Sequence, residues 1–486
     1  MSDLRISKTA LLYLKRCDKA FYLYTKFPWL KSKPDAFRQY LFEKGNELGM
    51  LSRTLFPDGK DASDSGKAGA ETSLHNTRKW IEEGAEVIYE ATFEKNYALV
   101  MVDILVKNKD SWDIYEVKSA RRLSDHHIID AGFQYYVVSD SLPVGDVFLV
   151  YPSGTYRFVP PLDVKKFFIR KSVLNLVKER KDYFEKMHQY ALKVLQSSGT
   201  PDIKPGLHCL RPGLCDFASQ CFPQSFLHHP DSVLQAKEIP PEKKMEYFHK
   251  NIFFIQQIPE HEIKSPSEKN SASAYFSTNN LREILRSGSW ICFDMEFYTG
   301  PVPFLLNHHP FEPVCVAADI FFPDNYHHET FFLDDPDLEA WNVMMRKMLD
   351  RLLQHNTLIL FDKQQEKEYI SLIQQHDPEN APAWKELMEK ALDIKELFRH
   401  HPLSREPQMK EKHSLKKISD TLEFSSPDTE MKEGFEVLIQ YENYLREKEN
   451  IKKTMIKNCI TGYVRSDTER IAFIVQKLLR RAEDGI

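Results

Sequence analysis

Apolar residues, many of them β-branched or aromatic, dominate three closely spaced stretches: AEVIYEATF (85–93), YALVMVDILVK (97–107) and WDIYEVKSA (112–120). Runs of this kind predict three strands, and KNKDS between the last two suits a hairpin turn. Helical spacing brackets them. Residues 7–26 predict a helix with Ser7 as its N-cap, and a second helix covers 35–55, ending before the turn signal FPDG. The polar, Gly- and Ser-rich KDASDSGKAGAE (60–71) predicts a loop. A helix at about 124–139 and the strand GDVFLVYP (145–152) follow. The basic stretch 164–193 is also helix-patterned, either as a nucleic-acid contact or as a solvated helix face.

Residues 226–285 show little periodicity and read as a connector, with one small packed helix and turn inside it. A second pattern begins with the strand SWICFDMEF (289–297). Strand-like runs near 312–321 and 329–333 come next, then a helix at 336–354, the strand TLILF and mostly helices. The fold class is α/β. Three parts are expected: a first domain over 1–225, the connector 226–285 and a second domain over 286–486.

Composition changes this picture little. At 42% hydrophobic and 28% charged the chain reads as soluble and globular, and it contains no apolar run of the roughly 18 residues a membrane span needs. Without a signal-type N-terminus, a cytoplasmic location and no membrane partner are expected. The net charge of −5 argues weakly against nucleic acid, but it hides an asymmetry. Residues 1–225 carry 33 Lys and Arg against 28 Asp and Glu, while the remainder is acidic by 10.

Candidate chemistry lies first on the three strands. Glu116 and Lys118 are two apart on a strand and so share a face. Asp103 stands in an apolar run, where an ionised carboxylate is costly unless paired or bound to a cation. Across the hairpin Asp103 can face Glu116. Two hard oxygen donors make a minimal Mg²⁺ or Mn²⁺ site, and a lysine beside them can stabilise charge on a phosphate. Glu90 is a further acid on the first strand, with a surface position as its alternative.

The seven cysteines are an odd count, which argues against a disulfide framework. Cys209, Cys215 and Cys221 follow a C-x5-C-x5-C spacing, and Cys17 lies far away in the first helix. Four thiolates can hold zinc or an iron–sulfur cluster, and the long spacing favours a cluster. Ordinary buried cysteines are the alternative. Cys292, Cys315 and Cys459 have no ligand spacing and read as apolar packing.

A second set of acids lies later. Asp294 and Glu296 share one strand face, Asp362 and Glu366 follow TLILF, and Tyr463 and Asp467 lie one turn apart on a helix. Acids from a strand, a second element and a late helix can converge on two metal ions that clamp a phosphate.

MVDILVKNKDSWDIYEVKSA resembles the core of the PD-(D/E)XK nucleases, in particular the RecB-like branch. The resemblance implies an αβββαβ core with Asp103, Glu116 and Lys118 as the D…ExK triad, and Gln134 in DAGFQYYVV as the glutamine of the RecB-type motif, with Tyr135 or Tyr136 nearby. One cysteine before the core and three after it resemble the AddB-type and CRISPR-associated iron–sulfur members. This implies a 4Fe-4S cluster on Cys17, Cys209, Cys215 and Cys221. The metal-binding histidine of many relatives has no counterpart in KGNELGM, which offers Gly45 and Gly49. The later region resembles the DnaQ-like, RNase H-fold exonucleases of the DEDDy type, with Asp294 and Glu296 as the first motif and Tyr463 with Asp467 as Y-x-x-x-D. Glu366 stands where the second motif usually has aspartate, with Asp362 as the alternative. FDMEF, LDIKELFRHHP and HSLKKISDTL are also similar to an uncharacterised bacterial domain family that follows such iron–sulfur modules. Together these resemblances imply a metal-dependent nuclease acting on DNA, with RNA open for the second domain. The alternative is a nucleic-acid-binding or scaffolding protein with one or both sites inactive.

Overall fold

The computed structural model describes residues 4–63, 69–229, 231–236, 239–259, 290–355, 357–400, 414–425, 431 and 433–483. It is a mixed α/β structure built on two mixed sheets.

The first sheet runs β2 (Lys60–Asp61), β3 (Val87–Lys95), β4 (Ala98–Asn108), β5 (Ser111–Val117), β6 (Val144–Pro152), β7 (Phe168–Ser172), and β1 (Ile6–Ser7) pairs with the start of β4. Strands β3, β4 and β5 form an antiparallel meander, and β6 joins β5 in parallel after the helix Asp125–Val138. That helix covers one face of the sheet through Ile129, Phe133 and Val137. The helix Ala36–Ser52 bears on the other face through Leu48.

The alternation in β3 and β4 changes phase midway. Ile88 shares a core with Ala91 and Phe93, and Val100 and Val102 share it with Leu105. The change falls at Glu90 and Asp103. Their neighbours pair as Tyr89 with Ile104 and Ala91 with Val102, so these two acids stand opposite each other in the register. Glu90 adopts a φ of 53°, in the left-handed region that suits few side chains. Such an irregularity re-aims side chains, here the acids.

The second sheet runs β10 (His327–Phe332), β9 (Val314–Phe322), β8 (Trp290–Tyr298), β11 (Thr357–Leu360), β12 (Leu392–Asp393). β8 to β10 are an antiparallel meander, and β11 and β12 add in parallel beside β8. Ile291, Phe293 and Met295 point into a core with the helices Leu338–Leu352 and Ala381–Lys390. The opposite face, through Trp290 and Cys292, packs on Ile471, Ile474, Val475 and Leu478 of the long helix Asn450–Glu483. Asp294 and Glu296 alternate onto that same face.

Several expectations are corrected. The helix over 7–26 is two helices, Lys8–Arg16 and Asp18–Lys26, broken at an extended Cys17, although Ser7 does cap it. A helix, Gly69–Glu82, follows the expected loop and was not anticipated. The basic stretch 164–193 is no single helix. It contains β7, an edge strand on β6, before the helices Leu174–Glu179 and Lys181–Leu195. Within the expected connector, Val233, Tyr247 and Ile255 pack with Phe222, Phe226 and Cys209 into a small core of their own. Residues 260–289 lie outside those described.

The helix Ala36–Ser52 also meets the second sheet. Tyr40 joins its core, and Lys44, 6% exposed, pairs with the buried Glu442 of the helix Phe435–Arg446. Tyr40 and Tyr298 both donate to Glu442 Oε1, at 3.0 and 2.7 Å. Arg446 and Glu47 close the rim at 2.8 Å.

Candidate functional site

Asp103 and Glu116 occupy facing register positions on β4 and β5, so Glu90, Asp103 and Glu116 form one row across three strands. The Val117 N–H donates to Asp103 Oδ2 at 2.6 Å. Burial raises the Asp103 carboxyl to about 7, reinforced by the charge of Glu116. Glu116 is only 1% exposed. Burial alone would keep it protonated, but Lys8 and Lys118 outweigh that and hold its carboxyl below the usual range. Lys8 Nζ lies 2.6 Å and Lys118 Nζ 2.8 Å from Glu116 Oε1. Gln134, fully buried, donates to Glu116 Oε2, and its own Oε1 has no partner. Glu90 pairs with Arg53 at 3.0 Å. Tyr136 bonds His188 at 3.2 Å, away from the acids.

Glu90, Asp103, Glu116 and Lys118 line a cavity of about 700 Å³ with Lys8, Phe42, Gly45, Asn46 and Gly49. Gly45 and Gly49 therefore do stand at the site. The histidine absent from the sequence is absent from the wall, where Asn46 takes part. Lys8 and Asp130 were missed by sequence reasoning. Lys8 is 108 residues from Glu116, and no local pattern connects them.

The second nest is more acidic. Asp294, Glu296 and Asp467 bring their oxygens within 4.8 Å of one another. Glu366 joins them in the wall of a cavity of about 400 Å³, together with Asp362. Burial, then the neighbouring acids, pushes Asp294 and Glu296 well above the carboxylate range. Burial and Asp362 raise Glu366 to about 8. Burial lifts Asp467 to about 6 against the opposing pull of Lys416 and Arg470. Glu366 Oε2 and Asp467 Oδ1 are buried without a hydrogen-bond partner. Tyr463 hydrogen-bonds Asp467 and accepts from Lys416 Nζ at 2.8 Å. Asp362 is held by Lys395 at 2.5 Å, so Glu366 is the acid of the pair with oxygen to spare.

Four carboxylates forced together, with orphaned buried oxygens, form a donor set that fits hard divalent cations such as Mg²⁺ or Mn²⁺. The Asp103–Glu116 pair is also all oxygen, although two lysines already neutralise Glu116.

The four cysteines meet where the first helix touches the late loop. Burial, then the charges of Cys221, Cys215 and Cys17, raises Cys209 to about 11. Arg16 locks the contact, donating to the carbonyls of His208 at 2.6 Å and Cys209 at 2.9 Å and to that of Gly213. Four converging thiols fit a cluster or a thiolate-bound metal. Cys292 and Cys315 are buried in apolar packing and Cys459 is half-buried against it.

Among the described residues no helix is long and apolar enough to cross a membrane. No protein-family model and no curated protein matches the chain. A solved structure titled "Crystal structure of SSO0001" is similar over 45% of this chain and 86% of its own, at 13% identity and a TM-score of 0.24. A likeness at that level carries no argument about fold or function.

Proposed function

We propose that the chain is a cytoplasmic, metal-dependent nuclease with two heads. A RecB-like PD-(D/E)XK domain with a 4Fe-4S cluster covers 1–225. A DnaQ-like, RNase H-fold exonuclease domain of the DEDDy type covers 286–486, with 226–285 between them. The substrate is DNA with single-stranded character or free ends, and RNA is open for the second head.

The observation that carries this reading is the buried nest of Asp294, Glu296, Glu366 and Asp467, whose mutual repulsion a bound divalent cation would relieve. Held there, Mg²⁺ or Mn²⁺ would supply Lewis-acid polarisation of a phosphodiester and a more acidic water. The chain's own part is positioning. Tyr463, fixed between Lys416 and Asp467, presents a phenol beside the acids that can orient an attacking water. In the first head Asp103, Glu116 and Glu90 would hold the metal. Lys118 presents an ammonium to the scissile phosphate, and Gln134 fixes the Glu116 carboxylate. Cys17, Cys209, Cys215 and Cys221 would hold the cluster that ties the first helix to the late loop.

One observation favours a second reading for the first head. Lys8 and Lys118 both sit on Glu116 Oε1, where they compete with a metal, so that head would bind nucleic acid without cleaving it. The deciding experiment is Mn²⁺-dependent digestion of end-labelled single-stranded DNA and RNA by anaerobically purified protein, beside Lys118→Ala and Asp294→Ala. Loss of cleavage in one variant assigns the activity to that head. Binding without cleavage by the wild type would replace the nuclease reading with the scaffolding one.

A further inference from the structure

Beside the second sheet, three residues converge that neither head uses, one of them at the far end of the helix that carries Glu366. His308 and Glu312 lie in the loop between β8 and β9, and His376 ends the helix Lys363–His376. Their ligand atoms all fall within 4.8 Å of one another. His308 is 1% exposed and Glu312 7%. We propose that His308, Glu312 and His376 form a transition-metal site of the zinc class, which clamps this loop in place. The inference is independent of the nuclease reading.

The donor set is two imidazoles and one carboxylate, which suits zinc rather than magnesium. The supporting hydrogen bonds are already in place. His308 Nδ1 stands 3.3 Å from the Leu306 carbonyl. A carbonyl can only accept, so Nδ1 carries the proton and Nε2 keeps its lone pair for a metal. Glu312 is oriented in the same way, its Oε2 accepting from the His309 N–H at 2.7 Å. Its Oε1 lies 2.6 Å from His376 Nε2. A proton now bridges that pair, and a metal would replace it. With two bonds of ~2.0–2.1 Å about a tetrahedral ion the pair opens to roughly 3.3 Å, a small side-chain movement. The His308 and His376 rings stack nearly parallel, 3.9 Å apart with 5° between their planes, so one ring would turn out of the stack to bring both lone pairs onto one ion; Trp341 packs edge-on against both.

The placement says what the metal would do. Backbone hydrogen bonds tie this loop to the segment that follows β6 of the first sheet. Asn307 N–H donates to the Phe158 carbonyl at 2.8 Å, and Phe158 N–H donates to the His308 carbonyl at 3.0 Å. His309 Nδ1 adds a bond of 2.7 Å to the Tyr156 carbonyl. A metal tying the loop to the helix Lys363–His376 would stiffen that seam.

The test uses full-length protein purified anaerobically, freed of loosely held metal and titrated with Zn²⁺, then separately with Co²⁺. The wild type should hold one more equivalent of Zn²⁺ than His376→Ala or Glu312→Gln, and that equivalent should survive in Asp294→Asn and in Cys215→Ser. Zn²⁺ should raise the melting temperature of the wild type but not of the two site variants. Co²⁺ in the Cys215→Ser protein should show visible d–d bands that the Cys215→Ser, Glu312→Gln double variant lacks. Glu312→Gln keeps the shape of the site, so it serves if His376→Ala fails to fold. Equal zinc content in wild type and Glu312→Gln, with no zinc-dependent melting shift, would overturn the proposal and leave an ordinary buried His–Glu ion pair.

Discussion

Lys118 Nζ lies 2.8 Å from Glu116 Oε1 and 2.6 Å from Asp130 Oδ2, so a single ammonium is shared between a strand carboxylate and a helix carboxylate. Removing it takes the ammonium from Asp130 and leaves Glu116 with Lys8 alone. Lys118→Ala should cost about 3 kcal/mol of stability, within the range for breaking a buried pair. It should also lower cleavage by the first head by roughly 10²-fold or more. Asp130→Asn keeps the ammonium on Glu116 and should retain most of the activity. Single-turnover cleavage and urea unfolding of the two variants check both points. Equal activity loss in both would show that Lys118 is held for structure rather than for phosphate.

The nest around Glu366 is built against its own stability. Replacing one repelling acid should help the metal-free protein at pH 7, so Glu366→Gln should gain about 1–3 kcal/mol, because a carboxyl raised to about 8 must take up a proton on folding. With Mn²⁺ added the order should reverse, because the wild type keeps the ligand. Melting curves with and without Mn²⁺, and calorimetric titration of the metal, would show it. A variant less stable than wild type without metal would mean that Glu366 is paired in solution.

His328 bridges Asp319 at 2.7 Å and Glu469 at 3.0 Å. Burial opposes its charge, yet the two carboxylates outweigh this and raise it to about 9. A histidine raised on folding gives stability that is complete below its unfolded value near 6.5 and lost as pH rises through 9. That contribution is about 2 kcal/mol. Between pH 7 and 10 the wild type should therefore lose more stability than His328→Gln, as read by melting temperature against pH. Parallel curves for the two proteins would exclude the charged bridge.

Anaerobic protein should carry iron and sulfide with a broad visible absorption, and Cys215→Ser should lose both. Arg16→Ala keeps all four thiols but removes three donations to the cysteine loop, so its cluster should bleach faster in air. Zinc in place of iron in the anaerobic wild type would sink the cluster assignment.

Some of this was legible in the sequence for plain reasons. The β3–β5 meander announces itself through short runs of β-branched and aromatic residues, and Asp103 stood out because a carboxylate in an apolar run needs an explanation. Asp294 and Glu296 share a face by parity alone. The phase change at Glu90 was hidden, since it depends on one backbone angle. Lys8 was hidden because only the tertiary fold brings it to Glu116. β7 was masked by basic residues whose helical spacing continues through it, while its pairing with β6 decides the conformation. His376 is 64 residues from Glu312, and histidines in a loop carry no periodic signal.

The pairing of Lys44 with Glu442 bears on how this chain can be inherited. Each half supplies one buried charge that the other neutralises, so neither is an interchangeable cassette. A recombination that replaced residues 1–225 with a sequence lacking the lysine would strand Glu442 in the seam, at a cost of about 3–5 kcal/mol. Against a typical total stability of about 5–15 kcal/mol, few such chimaeras would survive selection. The two halves are bound to travel through evolution together, whatever reactions they perform.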